Sequence, residues 1–183
     1  GRLRPIPKLL DYGTRSKVSA QFVRHRRHRM TRELVDYQHR TVLRDPVVEL
    51  VGVHTKGLYL DGTLGGGGHS EALLLGTQGK VLGIDRDPAA LKAARSRLAG
   101  FGERFEARRG RFGDMAELTA DCAPFDGIVL DLGVSSPQLD HAERGFSLQQ
   151  DGPLDMRMDT EQELDASRWL AQVGEDELTR VLG

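Results

Sequence analysis

The feature that most constrains this sequence is a rhythm of short apolar runs, each closed by an aspartate and followed by a helical pattern. The runs occupy residues 58–60, 81–84 and 125–130, and the aspartates that close them are Asp61, Asp85 and Asp131. Strands that alternate with helices form a parallel sheet with helices on its faces. We therefore predict an α/β fold, and such sheets bind ligands at the carboxyl ends of their strands.

Turn and capping signals place the remaining elements. Asp87 and Pro88 open one helix as an N-cap and a proline at the first helical position. We expect Leu91, Ala94 and Leu98 to share its buried face. The other predicted elements are helices at 45–51, 70–75, 165–170 and 175–182, a weaker strand at 105–109, and a turn with a short helix at 112–119.

A glycine-rich loop, DGTLGGGGHS at residues 61–70, follows the first run. Consecutive glycines let the backbone approach a ligand closely and adopt positive φ. The loop lacks the lysine of a P-loop and the GxGxxG spacing of a dinucleotide site, which disfavours both. Asp85 stands 19 residues after Gly66, close to the position of the acid that binds ribose hydroxyls. The pattern indicates a nucleoside-containing cofactor without phosphate, and S-adenosylmethionine fits that description.

The segment after the last run, residues 131–140, adjoins the reactive methyl group in a methyltransferase sheet. An exocyclic amine is a poor nucleophile, and hydrogen-bond acceptors near its hydrogens favour its attack. Asp131 and Ser135 are the candidate catalytic acceptors, although an Asp-Ser turn can also simply cap the next segment. Cys122 precedes the fourth strand, so we expect it on the other side of the sheet. Because it is the only cysteine, an intramolecular disulfide and a cysteine-based zinc site are excluded, and we expect no metal.

The net charge of −1 hides two opposite parts. Residues 1–40 hold 11 Lys and Arg against 3 Asp and Glu, whereas the rest holds 15 against 24. We interpret residues 1–37 as a basic arm, disordered or extraneous to the domain. The alternatives are that it contacts RNA, forms a solvated tail, or is a transit-peptide remnant. Arg104, Arg108, Arg109 and Arg111 form a second basic cluster that could hold RNA. No run reaches the ~18 apolar residues of a membrane span.

Five ordered blocks of sequence carry a family resemblance. They are DGTLGGGGHS at 61–70, GIDRDP at 83–88, DGIVLDLGVSSPQLD at 126–140, ERGFS at 143–147 and DGPLDMRMD at 151–159. Together they resemble the RsmH (MraW) family, which methylates the N4 amine of a cytidine in small-subunit ribosomal RNA. The resemblance covers about residues 38–183.

The resemblance implies a class I methyltransferase (Rossmann-like) parallel sheet with an inserted helical domain. We assign residues 38–138 to the first half of the sheet and 139–183 to the start of the insert, whose core Trp169 and Leu170 should face. Family members continue beyond residue 183, so we expect a chain truncated at its C-terminus. The implied donor is S-adenosylmethionine, and the implied partner is small-subunit ribosomal RNA or the assembled small subunit. A homodimer stays open, and we expect the cytoplasm, or a mitochondrion or plastid if the arm is a transit remnant.

The resemblance also implies particular site residues. Carried over by motif position, the cofactor residues are Gly67, Gly68, His69, Asp85, Phe112, Asp131 and Gln138. Read without the family, His69 is a structural residue at a helix N-terminus. Arg144 and Arg157 would contact RNA phosphate or position the cytidine; the alternative is an ion pair with acids such as Glu143 or Asp155. Met156 and Met158 should pack inward.

Two other functions stay open. One is an amino-methyltransferase that acts on DNA or on a small molecule, and the other is a truncated, inactive fragment that binds RNA or cofactor. The sequence SSPQ at residues 135–138 differs from the Pro-Pro-aromatic sequence of DNA amino-methyltransferases, which disfavours DNA.

Overall fold

The computed structural model describes residues 44–51 and 54–183. The predicted basic arm, residues 1–37, lies outside them. The strands are β1 (Leu58–Asp61), β2 (Lys80–Asp85), β3 (Phe105–Arg109) and β4 (Gly127–Val129). The α-helices are α1 (Arg44–Val51), α2 (Gly68–Gly76), α3 (Pro88–Leu98), α4 (Met115–Leu118), α5 (Ser136–Asp140), α6 (Ala166–Gln172) and α7 (Glu175–Leu182). Short 3-10 turns occupy Ala99–Arg104, Phe112–Asp114 and Ala142–Arg144.

The four strands form one sheet in the order β3-β2-β1-β4, and every neighbouring pair is parallel. In this register Asp61 lies beside Gly83 and Val129, while Asp85 lies beside Arg109. The carboxyl ends of the strands therefore meet at one edge. This order is the one that begins a doubly wound sheet, so the predicted α/β, Rossmann-like fold of the class I methyltransferase type is confirmed.

Alternation along the strands distributes the core over both faces of the sheet, because successive side chains of a strand point to opposite sides. Tyr59 packs in one cluster with residues of α2, α3 and the neighbouring strands, whereas Leu60 packs in another with Leu82 and Ile84. Two covered faces are what a parallel sheet requires. On α3, the predicted face of Leu91, Ala94 and Leu98 is buried, which confirms that prediction.

The ends of the elements follow local signals. Helix α3 begins where predicted because the Asp87 side chain accepts a hydrogen bond from the Ala89 backbone N–H (2.9 Å) and Pro88 takes the first helical position. Strand β3 matches its predicted range, but β4 is shorter than the predicted 125–130. Pairing with β1 ends at Val129, and the following Leu130 is 42% exposed, so the apolar run extends beyond the part that pairs with β1.

The last two helices pack loosely within the described residues. Neither α6 nor α7 contains a buried residue. Trp169 is half-buried, but Leu170, which we expected beside it in a core, is 42% exposed. The expectation that Leu170 faces the core of the insert therefore stays a prediction. No helix in the described part is long and apolar enough to cross a membrane.

The predicted basic cluster is mostly part of the scaffold. Arg104 donates to the backbone carbonyls of Leu74, Thr77 and Gly79 at 2.6, 2.8 and 2.9 Å, at the end of α2 and in the turn after it. These carbonyls need partners because the last turn of a helix leaves its carbonyls unpaired. Two other arginines are also engaged: Arg108 pairs with Asp121 and Glu106, and Arg109 pairs with Asp159 and Glu161. Arg111 alone of the four lacks a partner in the described chain.

We predict that Arg104→Met lowers the free energy of unfolding by about 1–3 kcal/mol, because it leaves three carbonyls without their donor. The matched control Arg111→Met removes the same charge from an exposed side chain and should change stability by less than ~0.5 kcal/mol. Urea denaturation of the two variants measures both. Equal stability of the two variants would show that Arg104 does not hold this turn.

Candidate active site

A cavity of about 360 Å³ opens at the carboxyl edge of the sheet. Its volume lies in the range of about 300–1,000 Å³ that is typical of small-molecule sites. Its lining includes Gly62, Thr63, Gly65, Gly66, Gly68 and His69 after β1, Asp85, Arg86 and Asp87 after β2, Gly110 and Phe112 after β3, and Asp131, Ser135 and Gln138 after β4. Of the predicted site residues, the cavity collects all except Gly67, Arg144 and Arg157.

Backbone hydrogen bonds hold the glycine loop across the strand ends. The Gly62 N–H donates to the Val129 carbonyl of β4 at 2.9 Å, and the Leu64 N–H donates to the Ile84 carbonyl of β2 at 3.0 Å. Gly65 has a φ of 50°, a left-handed conformation that favours glycine. Its N–H points at the Asp85 carboxylate (2.7 Å). The loop is thus a fixed wall of the cavity.

Gly67 does not line the cavity, which departs from its predicted role as a cofactor residue. It is the N-cap of α2, with a φ of 80°. A Cβ at this position would lie 3.0 Å from Leu98 and 3.3 Å from Ala94, so its open side faces α3. Gly68 and His69 line the cavity instead. His69 is only 7% exposed and lies in the first turn of α2. Its position is therefore compatible with both interpretations, a residue of the cofactor site and a structural residue at a helix N-terminus.

Asp85 ends β2 with its carboxylate at the cavity wall. One oxygen accepts from the Gly65 N–H at 2.7 Å and the other from the Asp87 N–H at 2.9 Å. Burial raises the pKa of Asp85, and those two N–H groups counteract the shift. Because the backbone fixes both oxygens, the carboxylate has a defined orientation towards a ligand hydroxyl.

Asp61, the first of the three strand-end aspartates, lies beneath the loop and not in the cavity lining. It is completely buried and accepts hydrogen bonds from the Ser70 hydroxyl (2.7 Å) and the Thr63 N–H (3.3 Å). Burial raises the pKa of its carboxyl group. The expectation that all three aspartates form one site therefore holds for Asp85 and Asp131, whereas Asp61 supports the loop from the interior.

Asp131 and Ser135 present oxygen atoms on the β4 side of the cavity. The Asp131 N–H donates to the Thr63 hydroxyl at 2.7 Å, which ties the end of β4 to the glycine loop. Its carboxylate is exposed and forms no hydrogen bond to another described residue. The Ser135 hydroxyl oxygen is buried and also has no partner in the described chain. Ser135 is the N-cap of α5 and forms a capping box with Gln138, as the capping alternative predicts. The exposed Asp131 carboxylate is therefore the acceptor that is open to a bound molecule, whereas the Ser135 oxygen is enclosed by the protein.

Asp87 joins three parts of the site. The sequence analysis identified it only as the N-cap of α3 and did not predict these additional contacts. Besides capping α3, its second oxygen accepts from Arg144 at 2.9 Å and from the Gln138 amide at 3.4 Å. Gln138 in turn accepts from the Ser135 N–H at 2.9 Å. The only local signal was the Asp-Pro dipeptide, and neither long-range partner is visible from it.

Arg144 forms an ion pair as the alternative reading proposed, but its partner is Asp87 rather than Glu143 or Asp155. The two side chains are only 15% and 6% exposed. The same guanidinium group donates to the carbonyls of Arg157 and Met158 at 3.1 and 3.2 Å. This position supports the ion-pair alternative, because three acceptors inside the protein already engage the group. A contact of Arg144 with RNA or with the cytidine stays a prediction.

Arg157 is also held within the chain. Its guanidinium group donates to both oxygens of Asp155, at 2.9 and 2.6 Å, and to the Gln162 carbonyl at 2.5 Å. The ion pair lowers the pKa of Asp155. The expectation that the flanking methionines pack inward fails for Met156, which is 48% exposed. Met158 is partly buried and lines the cavity, and its carbonyl accepts from Arg144.

Cys122 lies away from this site. It packs against the cluster of Leu60, Leu82 and Ile84, and partial burial raises the pKa of its thiol. It does not line the cavity, as predicted. Within the described residues, no group of three His, Cys, Asp or Glu side chains could hold a metal ion.

The fold and the cavity define the class of protein. A parallel sheet with a glycine loop after β1 and a fixed acid after β2 has the form of a Rossmann-like domain. No lysine is present in the described lining, and the available carboxylate of Asp131 disfavours a phosphate-rich ligand.

Comparison with known proteins then gives the family. Residues 36–183 match the model of the MraW methylase family, and the chain belongs to that family. It is 52% identical over 147 residues to "Ribosomal RNA small subunit methyltransferase H" of Myxococcus xanthus, an alignment that covers 80% of this chain and 47% of the relative. The protein of the same name from Alcanivorax borkumensis is 47% identical over 156 residues, covering 84% and 50%.

The chain spans about half the length of the curated relatives that it matches. Among solved structures, an rRNA methylase from Streptococcus thermophilus aligns with a TM-score of 0.41 and 22% identity, over 49% of this chain and 52% of that chain.

We predict that Asp61→Asn makes the protein more stable at neutral pH. An asparagine can accept from the Thr63 N–H through its oxygen and donate to the Ser70 hydroxyl oxygen through its nitrogen, and it removes a buried charge. Because the folded-state pKa of Asp61 is raised, wild-type stability falls as the pH rises through that value. The advantage of the variant should therefore be largest above the raised pKa and vanish below the unfolded-state value. Urea denaturation across pH measures this, and a variant less stable than wild type at pH 7 would contradict it.

We predict that Arg144→Met lowers the free energy of unfolding by about 3 kcal/mol, because the buried Asp87 carboxylate loses its charged partner. Adding Asp87→Asn removes the unpaired charge, so the double variant should lose less than the two single losses added together. A double-mutant cycle by urea denaturation should give a coupling of about 1 kcal/mol or more. Additive losses would mean that the ion pair has no energetic role.

Proposed function

We propose that this protein methylates the N4 amine of a cytidine in small-subunit ribosomal RNA, with S-adenosylmethionine as the methyl donor. The observation that carries the proposal is that the two sides of the cavity present different side-chain chemistry. On the β2 side, Asp85 is an acid whose two oxygens are fixed by backbone N–H groups. On the β4 side, the exposed carboxylate of Asp131 has no hydrogen-bond partner within the described chain. The names of the relatives support the choice of ribosomal RNA.

The lining residues fit the proposed cofactor. Asp85 would accept from the ribose hydroxyls, and the 46% exposed Phe112 offers its ring to the adenine. Gly68 and His69 would border the methionine part, and Gln138 would close the site beside Ser135. When bound, S-adenosylmethionine supplies a methyl group on a positively charged sulfur, and the Asp131 carboxylate suits a cationic ligand better than an anionic one.

The acceptors on the β4 side would act on the nucleophile. The lone pair of the cytidine N4 amine is delocalised into the ring, which makes the nitrogen unreactive. A hydrogen bond from the amine to Asp131 or Ser135 would favour the tetrahedral nitrogen that attacks, and Asp131 would accept the proton that the amine loses. The link from the Asp131 N–H to Thr63 would fix this group beside the glycine loop and so position the reaction.

The partner in this proposal is small-subunit ribosomal RNA or the assembled small subunit, and the site of action is the cytoplasm. The bacterial relatives support both. The arginines that we expected to hold RNA are mostly engaged inside the chain, so phosphate contacts must come from other residues. The assignment of residues 139–183 to a helical insert and the homodimer stay predictions.

We predict that Asp85→Ala weakens the binding of S-adenosylmethionine by roughly 10- to 100-fold, because two hydrogen bonds to a charged acceptor are lost. Isothermal titration calorimetry of the 183-residue chain measures the affinity. The control Asp140→Ala removes an exposed carboxylate that does not line the cavity and should leave it unchanged. Because the pKa of Asp85 is raised, its carboxylate takes up a proton at a higher pH than an ordinary aspartate does. The affinity of the wild type should therefore begin to fall at that higher pH as the solution is acidified. Absence of binding by the folded wild type would contradict the proposal.

We predict that Asp131→Ala slows methyl transfer by about 10²- to 10⁴-fold at saturating cofactor, the usual loss for one acid–base group. The assay incubates the chain with small ribosomal subunits that lack the modification and quantifies N4-methylcytidine by mass spectrometry. An unaltered rate in the variant would exclude Asp131 as the acceptor. Methylation of another position with none at a cytidine N4 would exclude the proposed substrate.

A further inference from the structure

The side chain of Gln138 borders the cofactor cavity, and both ends of its amide group are held. It is only 6% exposed and belongs to the cavity lining. Its oxygen accepts from the Ser135 N–H at 2.9 Å, and its nitrogen donates to the Asp87 carboxylate at 3.4 Å. An amide group has two hydrogens on its nitrogen and two lone pairs on its oxygen. One hydrogen and one lone pair of Gln138 therefore remain after these two contacts.

Asp87 determines which end of this amide lies on the α3 side. An ionised carboxylate can only accept hydrogen bonds, so the nitrogen of Gln138, and not its oxygen, must face Asp87. The carboxylate itself is fixed, because one oxygen accepts from the Ala89 N–H at 2.9 Å and the other accepts from Arg144 at 2.9 Å. It is also only 4% exposed. The orientation of Gln138 thus depends on an acid that lies 51 residues away in the sequence.

The β4 side of the cavity offers few other side-chain donors. The lining residues that follow β4 are Asp131, Leu132, Gly133, Val134, Ser135 and Gln138. Asp131 presents a carboxylate, and the Ser135 hydroxyl oxygen is enclosed by the protein. S-adenosylmethionine ends in an amino-acid group that carries both an ammonium and a carboxylate. The carboxylate of that group needs a donor, which Asp131 does not supply and the amide nitrogen of Gln138 does.

We propose that Asp87 is a positioning residue for the cofactor. It holds the amide of Gln138 in the orientation that presents an N–H to the carboxylate of the amino-acid group. This inference rests on the proposed function. Asp87 acts through Gln138, because its own two oxygens are already engaged by the Ala89 N–H, Arg144 and Gln138. The ion pair with Arg144 offsets the negative charge that Asp87 places near an anionic group of the ligand.

Two ligands separate this role from general support of the fold. S-adenosylhomocysteine carries the amino-acid group, whereas 5′-methylthioadenosine has the adenosine and the thioether but lacks that group. In Asp87→Asn the helix cap is kept, since asparagine is a preferred N-cap, but an amide nitrogen now faces the nitrogen of Gln138. By titration calorimetry we expect binding of S-adenosylhomocysteine to weaken about tenfold, the loss of one hydrogen bond to a charged group. The affinity for 5′-methylthioadenosine should stay unchanged.

A relocated charge distinguishes the two roles further. Gln138 and Arg144 contact the same oxygen of Asp87, so a carboxylate at position 138 can pair with that guanidinium group and accept from the Ser135 N–H. The double variant Asp87→Asn/Gln138→Glu should therefore regain stability over Asp87→Asn, as urea denaturation measures. Its affinity for S-adenosylhomocysteine should stay low by about tenfold or more, because residue 138 has lost its N–H. Recovery of this affinity together with stability would mean that Asp87 only supports the fold.

Two further variants complete the design. Gln138→Met removes the amide and leaves Asp87 intact, so it should weaken S-adenosylhomocysteine about tenfold and leave 5′-methylthioadenosine unchanged. This variant decides the donor role of Gln138 even if the changes at Asp87 prevent folding. The matched control Asp165→Asn makes the same substitution at the N-cap of α6, outside the cofactor cavity. Both affinities should stay at the wild-type value in the control.

The outcomes keep this inference apart from the proposed function. If the wild type binds S-adenosylhomocysteine but Asp87→Asn loses equal affinity for both ligands, or for neither, the positioning role is overturned and the proposed function stands. An equal loss for both ligands in Gln138→Met would overturn it in the same way. If the folded wild type binds neither ligand, the proposed function fails, and the positioning role fails with it.

Discussion

The site depends on the parallel alignment of β1, β2 and β4. Because all three strands end at one edge, a short loop after β1 can bond to the carbonyls of both neighbours, as Gly62 and Leu64 do. Those bonds, together with the hydrogen bond from the Gly65 N–H to Asp85, hold the glycine loop at the wall of the cavity. An antiparallel partner in place of β2 or β4 would carry its end, and its acid, to the opposite edge of the sheet.

One carboxylate links this edge to the segments that follow β4. Asp87 caps α3 with one oxygen and holds Arg144 and Gln138 with the other. Through Arg144 it also reaches the carbonyl of Met158, whose side chain lines the cavity. The ion pairs of Arg109 with Asp159 and Glu161 form a second link between the sheet and the segment that we assign to the insert.

The elements of the fold could be predicted from the sequence because their signals are local. Strand β3 matches its predicted range, and the cap formed by Asp87 placed the start of α3 within one residue. The lining positions of Asp85 and Asp131 follow from the same logic, since the end of each strand is a local feature and the parallel sheet brings the ends together.

The residues that sequence reasoning misassigned depend on contacts between distant parts of the chain. Arg104 was interpreted as part of a basic surface cluster, but its backbone acceptors lie 25 or more residues away in the sequence. For Arg144 an ion pair was one of two alternatives, but its partner Asp87 is 57 residues away and could not be named. Gly67 was assigned to the cofactor, but its open side faces Leu98 on α3. Burial of Asp61 was equally invisible, because nothing nearby in the sequence distinguishes an acid beneath a loop from one above it. Composition and spacing show where charged residues occur in the sequence, but they do not show the direction in which the side chains point.

The central claim is that the carboxyl edge of the sheet binds the cofactor. Hydrogen–deuterium exchange of the 183-residue chain, with and without saturating S-adenosylhomocysteine, tests it directly. We expect slower exchange for the amides of residues 62–68 and 131–138, and no change at the opposite edge around Gly79 and Asp126. Protection confined to that opposite edge, or no protection at residues 62–68 when ligand is bound, would contradict the account.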